Sequence, residues 1–383
     1  MQMNKNLEQQ VAVFGESGSG KTVLLSSFYG VAQEASFQQD NHYYLVAEKL
    51  GQGNRLHKNY LGMKNSASVP MTDHMQGDSY AFSVRVKDAA KGQNNRTQPI
   101  DALRVVWHDY PGEWFESDVS GDLEHQNRVD TFRSLLASDV ALLLVDGQRL
   151  LDNVGEEERY LKSLFANMRN SVLSLKDDLL ADGRPLVQFP RIWVLALSKA
   201  DLLPDMDVYG FRDLLVEKAS NEIVDLQQFL SSMVDGSDAF SFGDDFMLLS
   251  SAKFEPGRIV TTERKGVDLL LPLLAMLPFE RNLKWAKAKV LPVKLAEMVV
   301  RNAGTIAGMI LLKSPAKFAK IVGLLGIANN DKANLVFDAA ADQLVEMNRA
   351  AIARNDLMAA TLTQFQLDLN EGEATQVLKR SQR

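Results

Sequence analysis

The chain has 383 residues, of which 46% are apolar and 24% are charged, and its formal net charge at pH 7 is −7. This composition is ordinary for a folded globular protein, and the length is enough for two or three domains, so wholesale disorder is excluded. There is no cysteine, which excludes disulfide frameworks, cysteine zinc sites and thiol catalysis.

The sequence shows neither a secretory signal nor a membrane span. Its first ten residues are polar, and no uninterrupted apolar run approaches the roughly 18 residues that a membrane span needs. We therefore expect a cytoplasmic setting.

An apolar run, VAVF, leads directly into GESGSGKT (15–22) and then into the helix-like TVLLSSFYG. The spacing Gly15, four residues, Gly20, Lys21 and Thr22 matches a P-loop, whose backbone N–H groups surround phosphate oxygens. Lys21 would contact the terminal phosphates and Thr22 would ligate Mg²⁺. The alternative is a glycine-rich hairpin turn, which does not explain the strand before and the helix after. The predicted phosphate contacts are Gly15, Ser17, Gly18, Ser19, Gly20, Lys21 and Thr22.

A polar and aromatic insertion follows at about 37–78, and HYYLVAEKLGQGNRLHKNYLGM within it suggests one helix interrupted by its glycines. Two strand-like runs come next, at 79–87 and 102–110, and the Gly- and Asn-rich loop between them favours a hairpin. The first run alternates apolar and polar residues, which is typical of a half-exposed edge strand.

Strand and helix patterns then alternate. Buried-type strands are predicted at 139–147 and 191–201 and a last strand at 246–253, with helical segments at about 155–181 and 211–234. This alternation predicts an α/β fold, with a mostly parallel sheet that has one antiparallel edge strand and is flanked by helices. Ligands bind at the carboxyl ends of the strands in such sheets, and each motif below lies at such an end.

The motif HDYPGEW (108–114) closes one predicted strand. Asp109 can hold Mg²⁺ directly or through water, and the N–H of Gly112 can donate to a terminal phosphate. The alternative is a plain strand-ending turn, because Asp, Pro and Gly all favour turns.

Two further strand ends, LSKAD (197–201) and SSAK (250–253), carry residues suited to a guanine base. Asp201 can accept hydrogen bonds from both N1–H and N2–H₂ of guanine, a donor pair that adenine lacks. Lys199 can lay its aliphatic stem along the base, and the N–H of Ala252 can meet guanine O6. Alone, LSKAD is also explained by a helix cap, and SSAK carries little weight by itself.

Together, these motifs occur in the order and at the strand ends found in GTPases of the translation-factor and Ras-like class, which the chain resembles over about residues 8–278. DYPGEWF is most similar to a bacterial branch of that class, the double-GTPase group. The resemblance implies a switch that hydrolyses GTP to GDP with Mg²⁺, and it makes Asp109 and Gly112 the second switch. The guanine-side residues that it implies are Ser198, Lys199, Asp201, Ser251, Ala252 and Lys253.

Two positions depart from the family pattern, but guanine selection and Mg²⁺ binding can both be retained. Ser198 stands where the family usually has Asn or Thr, and a serine can still hydrogen-bond to the phosphate loop. The first switch should supply a threonine to Mg²⁺, and Thr72 is the only threonine between positions 23 and 96. Thr72 lies farther from Thr22 than in a small Ras-like protein, so we expect the insertion to be a recognition or regulatory element.

The third departure concerns catalysis, for which the resemblance implies Lys21, Thr72 and Glu113. Ras-like members have a glutamine at the position of Glu113, and this glutamine orients the attacking water. A carboxylate can hold water, but its charge opposes the charge that builds on the transferring phosphate. We therefore expect slow intrinsic hydrolysis, with a partner supplying the missing group, for instance an arginine. His108 could instead reach the water, although a satisfied core histidine is the favoured interpretation.

Two rival functions remain open. One is an interaction protein that holds nucleotide without turnover, which Glu113 favours. The other is an ATPase of a different P-loop branch, against which Asp201 argues.

Residues 279–383 are expected to form an α-helical C-terminal domain, separate from a GTPase domain at 1–278. They carry 15 basic against 10 acidic side chains, whereas the first 278 residues carry 27 against 39. The segment 281–330 is interpreted either as a helical bundle packed on the GTPase domain or as an amphipathic surface for an acidic partner or the inner membrane face. Nucleic acid is disfavoured, because the chain is acidic and lacks an aromatic–basic platform. Expected partners are a protein effector or activator, and a homodimer or partner GTPase, since related GTPases often dimerise across their nucleotides.

Overall fold

The computed structural model describes residues 7–70, 78–87, 100–115, 121–180, 183–287, 344–353 and 356–381. Thr72 and most of the segment 281–330 lie outside the described residues. None of the helices in these ranges has the length and hydrophobicity of a transmembrane segment.

A mixed β-sheet forms the centre of the molecule. The strands are β1 (Leu7–Phe14), β2 (Tyr43–Ala47), β3 (Asp78–Val86), β4 (Ile100–Asp109), β5 (Val140–Asp146), β6 (Ile192–Ser198), β7 (Ser241–Leu248), β8 (Lys253–Glu255), β9 (Arg258–Val260) and β10 (Leu378–Lys379). Eight of them form one sheet in the order β10-β7-β6-β5-β1-β4-β3-β2, and β8 pairs with β9 in a separate hairpin. The five strands from β7 to β4 in this order are parallel to one another, which confirms the predicted α/β fold with a mostly parallel sheet.

Helices cover both faces of this sheet. They are α1 (Lys21–Val31), α2 (Ala35–Asp40), α3 (Leu50–Ser66), α4 (Asp122–Leu135), α5 (Gly147–Asp152), α6 (Glu157–Ser174), α7 (Lys176–Leu179), α8 (Val208–Ser232), α9 (Leu270–Lys287) and α10 (Leu357–Ala374), and residues 344–353 are also helical.

The two faces of the sheet bury separate cores. Val11 and Val13 of β1 belong to the core under α1, α9 and α10, whereas Ala12 and Phe14 belong to the core under α4, α6 and α8. Successive side chains of a strand point to opposite faces, so a strand buried on both faces is a continuous apolar run. For this reason VALLLVD of β5 and IWVLALS of β6 are buried along their whole length.

The hairpin predicted from the sequence is present, because β3 pairs antiparallel with β4. The prediction that β3 is the edge strand is wrong, since β2 pairs antiparallel with its outer side. The prediction of a single interrupted helix is also wrong for YYLVA. Tyr43 and Leu45 are buried at alternate positions, which is the period of a strand rather than a helix. The helix begins only at Leu50.

The insertion packs beside the helix that follows the P-loop. A Cβ at Gly30 of α1 would collide with the ring of Tyr60 on α3, so glycine is needed for the close approach of the two helices. Tyr60 is almost completely buried in this contact. The insertion is therefore packed onto α1.

The last described residues return to the sheet. β10 pairs antiparallel with β7, and Phe365 and Leu369 of α10 lie in the same core as α9. The sequence did not predict β10, because a two-residue strand leaves no period to detect. The predicted domain boundary at residue 278 remains a prediction, and α9 continues through it with Pro278 inside the helix.

A buried ion pair fastens the end of the chain to the sheet. One terminal nitrogen of Arg281 on α9 donates to both carboxylate oxygens of Asp245 on β7, at 2.7 and 2.9 Å. The two side chains are 2% and 0% exposed. Asp245 also accepts from the N–H of Ser381 at 2.7 Å, and Arg281 donates to the carbonyl of Ser381 at 3.2 Å. The pair thus joins β7, α9 and the C-terminal segment.

Removing one partner of this pair should destabilise the fold strongly. Arg281→Met leaves the carboxylate of Asp245 buried without its cation, so we expect the free energy of unfolding to fall by about 3–5 kcal/mol. Urea unfolding followed by circular dichroism measures the change. Arg133→Met is the matched control, because Arg133 pairs with Asp130 on the exposed face of α4 and should change stability little. Equal losses in the two variants would contradict the role given to the buried pair.

Candidate nucleotide-binding site

The P-loop connects β1 to α1 at the carboxyl end of β1. Gly18 and Gly20 have φ angles of +78° and +89°, a left-handed conformation that glycine adopts readily. Gly20 directly precedes α1, so the loop lies at a helix N-terminus, where the partial positive charge favours anions.

Lys21 is buried, and its ammonium group points back into the loop. Its Nζ donates to the carbonyls of Gly15 and Glu16 at 2.7 and 3.1 Å, and it lies 4.9 Å from the centre of the Tyr110 ring. The Tyr110 hydroxyl accepts from the N–H of Gly15 at 2.7 Å and donates to its carbonyl at 2.8 Å. Tyr110 therefore ties the segment after β4 to the base of the P-loop. Sequence reasoning missed this role, because Tyr110 stands between two residues that explained the motif without it.

Ser19 gives an independent indication that the loop holds a ligand. Its side chain is 1% exposed, and among the described residues its hydroxyl has no hydrogen-bond partner. A buried hydroxyl without a partner costs free energy. A phosphate oxygen in the loop would supply the missing partner, so the residues present fit a bound phosphate group.

The HDYPGEW segment packs directly on the P-loop. β4 is the neighbour of β1, and the N–H of Tyr110 donates to the carboxylate of Asp109 at 3.0 Å, just where β4 ends. A Cβ at Gly112 would lie 2.5 Å from the backbone nitrogen of Ser17, so only glycine permits this approach. A group bound in the loop would therefore lie close to the backbone of Gly112.

Thr22 and Asp109 are the described candidates for holding Mg²⁺. They follow neighbouring parallel strands, with Thr22 in the first turn of α1 and Asp109 at the end of β4. The described residues contain no group of three or more carboxylates and histidines that could hold a metal by themselves. Mg²⁺ in nucleotide sites typically takes one or two protein ligands and completes its shell with phosphate oxygens and water, which this donor set fits. Thr72 lies outside the described residues.

The two candidate water-contacting residues lie in different surroundings. Glu113 is exposed on the short 3₁₀ turn Gly112–Phe115. The Nε2 of His108 lies 3.2 Å from Oε1 of Gln10 on β1, and burial lowers the pKa of His108. This contact agrees with the favoured interpretation of His108 as a histidine satisfied within the fold.

Asp201 is held by residues of the neighbouring strand end. The Ser250 hydroxyl lies 2.7 Å from Oδ1 of Asp201 and 2.6 Å from the carbonyl of Ala252, and the N–H of Phe254 donates to Oδ2 of Asp201 at 3.2 Å. β6 and β7 are parallel neighbours, so LSKAD and SSAK meet at one edge. Sequence reasoning missed Ser250, because its contact depends on that pairing.

Lys199 links this end of the site to β5. It has a left-handed φ of +52°, and its Nζ donates to Asp146 at 2.8 Å. Asp146 is the last residue of β5, and its carboxylate caps α5 by accepting from the N–H of Gln148. The ammonium group of Lys199 is thus anchored by a buried carboxylate, which leaves the aliphatic stem in a defined position.

A hydrogen bond from Ser198 to the phosphate loop, which the sequence allows, is not among the contacts of the described residues. The Ser198 hydroxyl donates to the carbonyl of Val145 at 3.3 Å. In the register of β5 and β6, Ser198 lies opposite Asp146, so its short side chain meets the neighbouring strand and not the loop 15–22.

The other two residues of SSAK differ in their surroundings. The carbonyl of Ser251 accepts from the hydroxyl of Ser27 at 3.1 Å, which joins this loop to α1. Lys253 is largely exposed and pairs with Glu255 and Glu263. Ser251 therefore lies within the site, whereas Lys253 lies at its rim.

Two charged residues at the P-loop were also missed by sequence reasoning. Glu16 is buried within the loop, and its Oε2 lies 2.7 Å from Nη1 of Arg149 on α5. Nη2 of Arg149 also donates to the carbonyl of Ser17 at 3.3 Å. An acidic residue inside a phosphate-binding loop indicates that a cation is needed nearby, but only the fold identifies the cation as Arg149.

Comparison with solved structures gives distant similarities. One is a Methanosarcina barkeri Roco2 RocCORdC structure bound to GDP, which is 11% identical, covers 96% of this chain and 90% of that chain, and has a TM-score of 0.26. Another is from an oligomerised bacterial dynamin pair described as sensing and tethering membranes, which is 14% identical over 97% of this chain, with a TM-score of 0.25. This chain covers only 60% of that protein. Similarity at these TM-scores carries no argument about function.

Sequence comparison is decisive for the family. No curated protein sequence matches the chain. The model of the Double-GTPase 2 family matches residues 9–241, which is more than half of the chain and includes the P-loop, HDYPGEW and LSKAD. The chain therefore belongs to the Double-GTPase 2 family of GTP-binding proteins.

Proposed function

We propose that the protein is a molecular switch that hydrolyses GTP to GDP and phosphate with Mg²⁺. The observation that carries this proposal is the position of the P-loop and Asp201 at one edge of a parallel sheet. The loop, with Lys21 and the buried Ser19 hydroxyl, suits the phosphates. Asp201, oriented by Ser250 at 2.7 Å, suits the N1–H and N2–H₂ donors of guanine.

The residues of the P-loop and of the segment after β4 each take a proposed role in GTP binding or hydrolysis. Mg²⁺, when bound through Thr22 and Asp109, would neutralise charge on the phosphates. Lys21 would exchange the carbonyls of Gly15 and Glu16 for phosphate oxygens, which keeps a buried cation paired. The N–H of Gly112 would donate to the terminal phosphate, and Glu113, one residue later, would face the attacking water.

The proposed switch follows from the contact between Gly112 and the P-loop. A terminal phosphate held by the Gly112 N–H would fix the 3₁₀ turn, and its loss would release that turn. Thr72 is the proposed Mg²⁺ ligand from the first switch and would be released in the same step. A change at either segment would alter the surface that a partner meets.

The C-terminal segment supports a second route to a partner. The carbonyl of Gln376 accepts from the N–H of Val208 at 2.9 Å, and the carbonyl of Val377 accepts from the N–H of Leu248 at 2.9 Å. Val208 begins α8 after the loop of Asp201, and Leu248 ends β7 just before SSAK. We therefore propose that the C-terminal unit responds to occupation of the base-binding end, and thus to GDP as well as GTP.

The partner proposals are an effector or activating protein, and a homodimer or partner GTPase. We also propose that the GTPase domain and the C-terminal domain meet near residue 278. The proposed location is the cytoplasm, with peripheral membrane contact through 281–330. A nucleotide-bound scaffold without turnover is the second candidate function. The exposed carboxylate of Glu113, at the position of a catalytic glutamine in Ras-like members, favours that alternative.

Removing the charge of Glu113 should speed hydrolysis. Glu113→Gln takes away a negative charge that opposes the transferring phosphate, so we expect the single-turnover rate of the isolated protein to rise roughly tenfold. Phosphate release with saturating GTP and Mg²⁺ measures the rate. Glu217→Gln is the control, because Glu217 lies on the exposed side of α8. An unchanged rate in Glu113→Gln would refute its role, and no multiple turnover in any variant would favour the scaffold.

Binding of a guanine base near Asp201 should be detectable at the backbone hydrogen bonds between the C-terminal segment and the residues Val208 and Leu248. We expect GDP alone to slow hydrogen exchange of the Val208 and Leu248 amides, because these two amides donate to the carbonyls of Gln376 and Val377. Mass spectrometry with and without GDP measures the change, and the amides of β2 at the opposite sheet edge serve as the internal control. Protection that appears only with a GTP analogue would assign the coupling to the phosphate side instead.

A further inference from the structure

The ion pair between Glu16 and Arg149 has no part in the mechanism above. Glu16 lies inside the P-loop and is 4% exposed. Its Oε2 lies 2.7 Å from Nη1 of Arg149, whose Nη2 donates to the carbonyl of Ser17 at 3.3 Å. Two successive loop residues are therefore held by one guanidinium group.

The negative charge of Glu16 disfavours the binding of phosphate by the loop around it. The glycine-rich backbone, Lys21 and the N-terminus of α1 all favour anions. A carboxylate in the same loop adds negative charge close to the phosphates, and because it is buried, water screens the repulsion poorly. Without a cation, Glu16 would disfavour phosphate binding in proportion to the number of phosphate charges.

Lys21 is directed at other atoms of the loop. Its Nζ donates to the backbone carbonyls of Gly15 and Glu16, and phosphate binding would draw it towards the ligand. Arg149 approaches from α5, outside the loop, and is about one-third exposed. Its positive charge can therefore neutralise the carboxylate of Glu16 while Lys21 binds the phosphate oxygens.

The first turn of α5 also reaches the other end of the site. Asp146 precedes α5 and holds the ammonium group of Lys199 at 2.8 Å. Arg149, three residues later, holds Glu16. One short helix thus connects the guanine side and the phosphate side through two ion pairs.

We propose that Arg149 is a positioning residue that makes the P-loop competent for a triphosphate. It neutralises Glu16 and fixes the backbone at Ser17, so it strengthens binding of GTP more than binding of GDP. The difference arises because the terminal phosphate adds negative charge, and Arg149 offsets the repulsion between that charge and Glu16. This inference rests on the proposed function for the identity of the ligand, but it requires no hydrolysis.

Nucleotide titration of charge-altered variants tests the proposal. The probes are a non-hydrolysable GTP analogue and GDP, each with Mg²⁺, measured by calorimetry. We expect Arg149→Gln to weaken binding of the analogue about tenfold and of GDP clearly less, because the buried carboxylate of Glu16 loses the positive charge of this guanidinium group. Arg149→Lys should retain most of the affinity, since it keeps the charge.

The decisive variant is the double substitution Glu16→Gln with Arg149→Gln. It removes the carboxylate together with its cation, so affinity for the analogue should return to within about threefold of the wild type. Glu16→Gln alone should bind the analogue at least as tightly as the wild type. Thermal unfolding of every variant accompanies the titrations, so that a loss of folded protein is recognised, and the double variant provides the test if Arg149→Gln alone does not fold.

A double variant that binds the analogue as weakly as Arg149→Gln would overturn the proposal. Equal weakening of the analogue and GDP in Arg149→Gln would overturn it as well. A wild type that binds no guanine nucleotide would overturn the proposed function and this inference together. If the wild type binds guanine nucleotide but the double variant does not regain affinity, only the role proposed for Arg149 is refuted and the proposed function stands.

Discussion

The parallel pairing of β1, β4, β5, β6 and β7 is the constraint on which the rest of the structure depends. It brings the carboxyl ends of five strands to one edge of the sheet, although the residues that follow those strands are spread from position 15 to position 253. The pairing also explains the composition of these strands, because a sheet covered by helices on both faces must be apolar on both sides. The polar chemistry is therefore confined to the loops at the strand ends.

Contacts between those loops turn separate strand ends into one site. The Tyr110 hydroxyl joins the end of β4 to Gly15, and Ser250 joins the end of β7 to Asp201 at the end of β6. Ion pairs from the first turn of α5 reach both the P-loop and Lys199. Each loop is thus positioned by its neighbour, so a nucleotide that contacts two of them would act on all of them. The backbone hydrogen bonds of Gln376 and Val377 extend this arrangement to the C-terminal segment.

The sequence predicted the features that are determined locally. The P-loop was recognisable because two glycines must adopt left-handed conformations before a helix, and β5 and β6 were recognisable as uninterrupted apolar runs. Features that depend on pairing could not be predicted. YYLVA forms a strand only because β3 is available as a partner, and β10 is too short to show a period. Ser198 contacts β5, and Glu16 contacts Arg149, because of register and packing that no local pattern contains. The roles given to Thr72 and to 281–330 remain predictions.

The central claim is that Asp201 reads guanine in a nucleotide held by the P-loop. The most direct test is to measure the binding of GTP, ATP and XTP, with Mg²⁺ present, by the wild type and by Asp201→Asn. The account predicts tight binding of GTP and weak binding of ATP by the wild type, with the preference moving towards XTP in the variant, because an amide can donate to the oxygen that replaces the guanine amino group. Equal affinity of the wild type for ATP and GTP would contradict the account and reduce LSKAD to a helix cap.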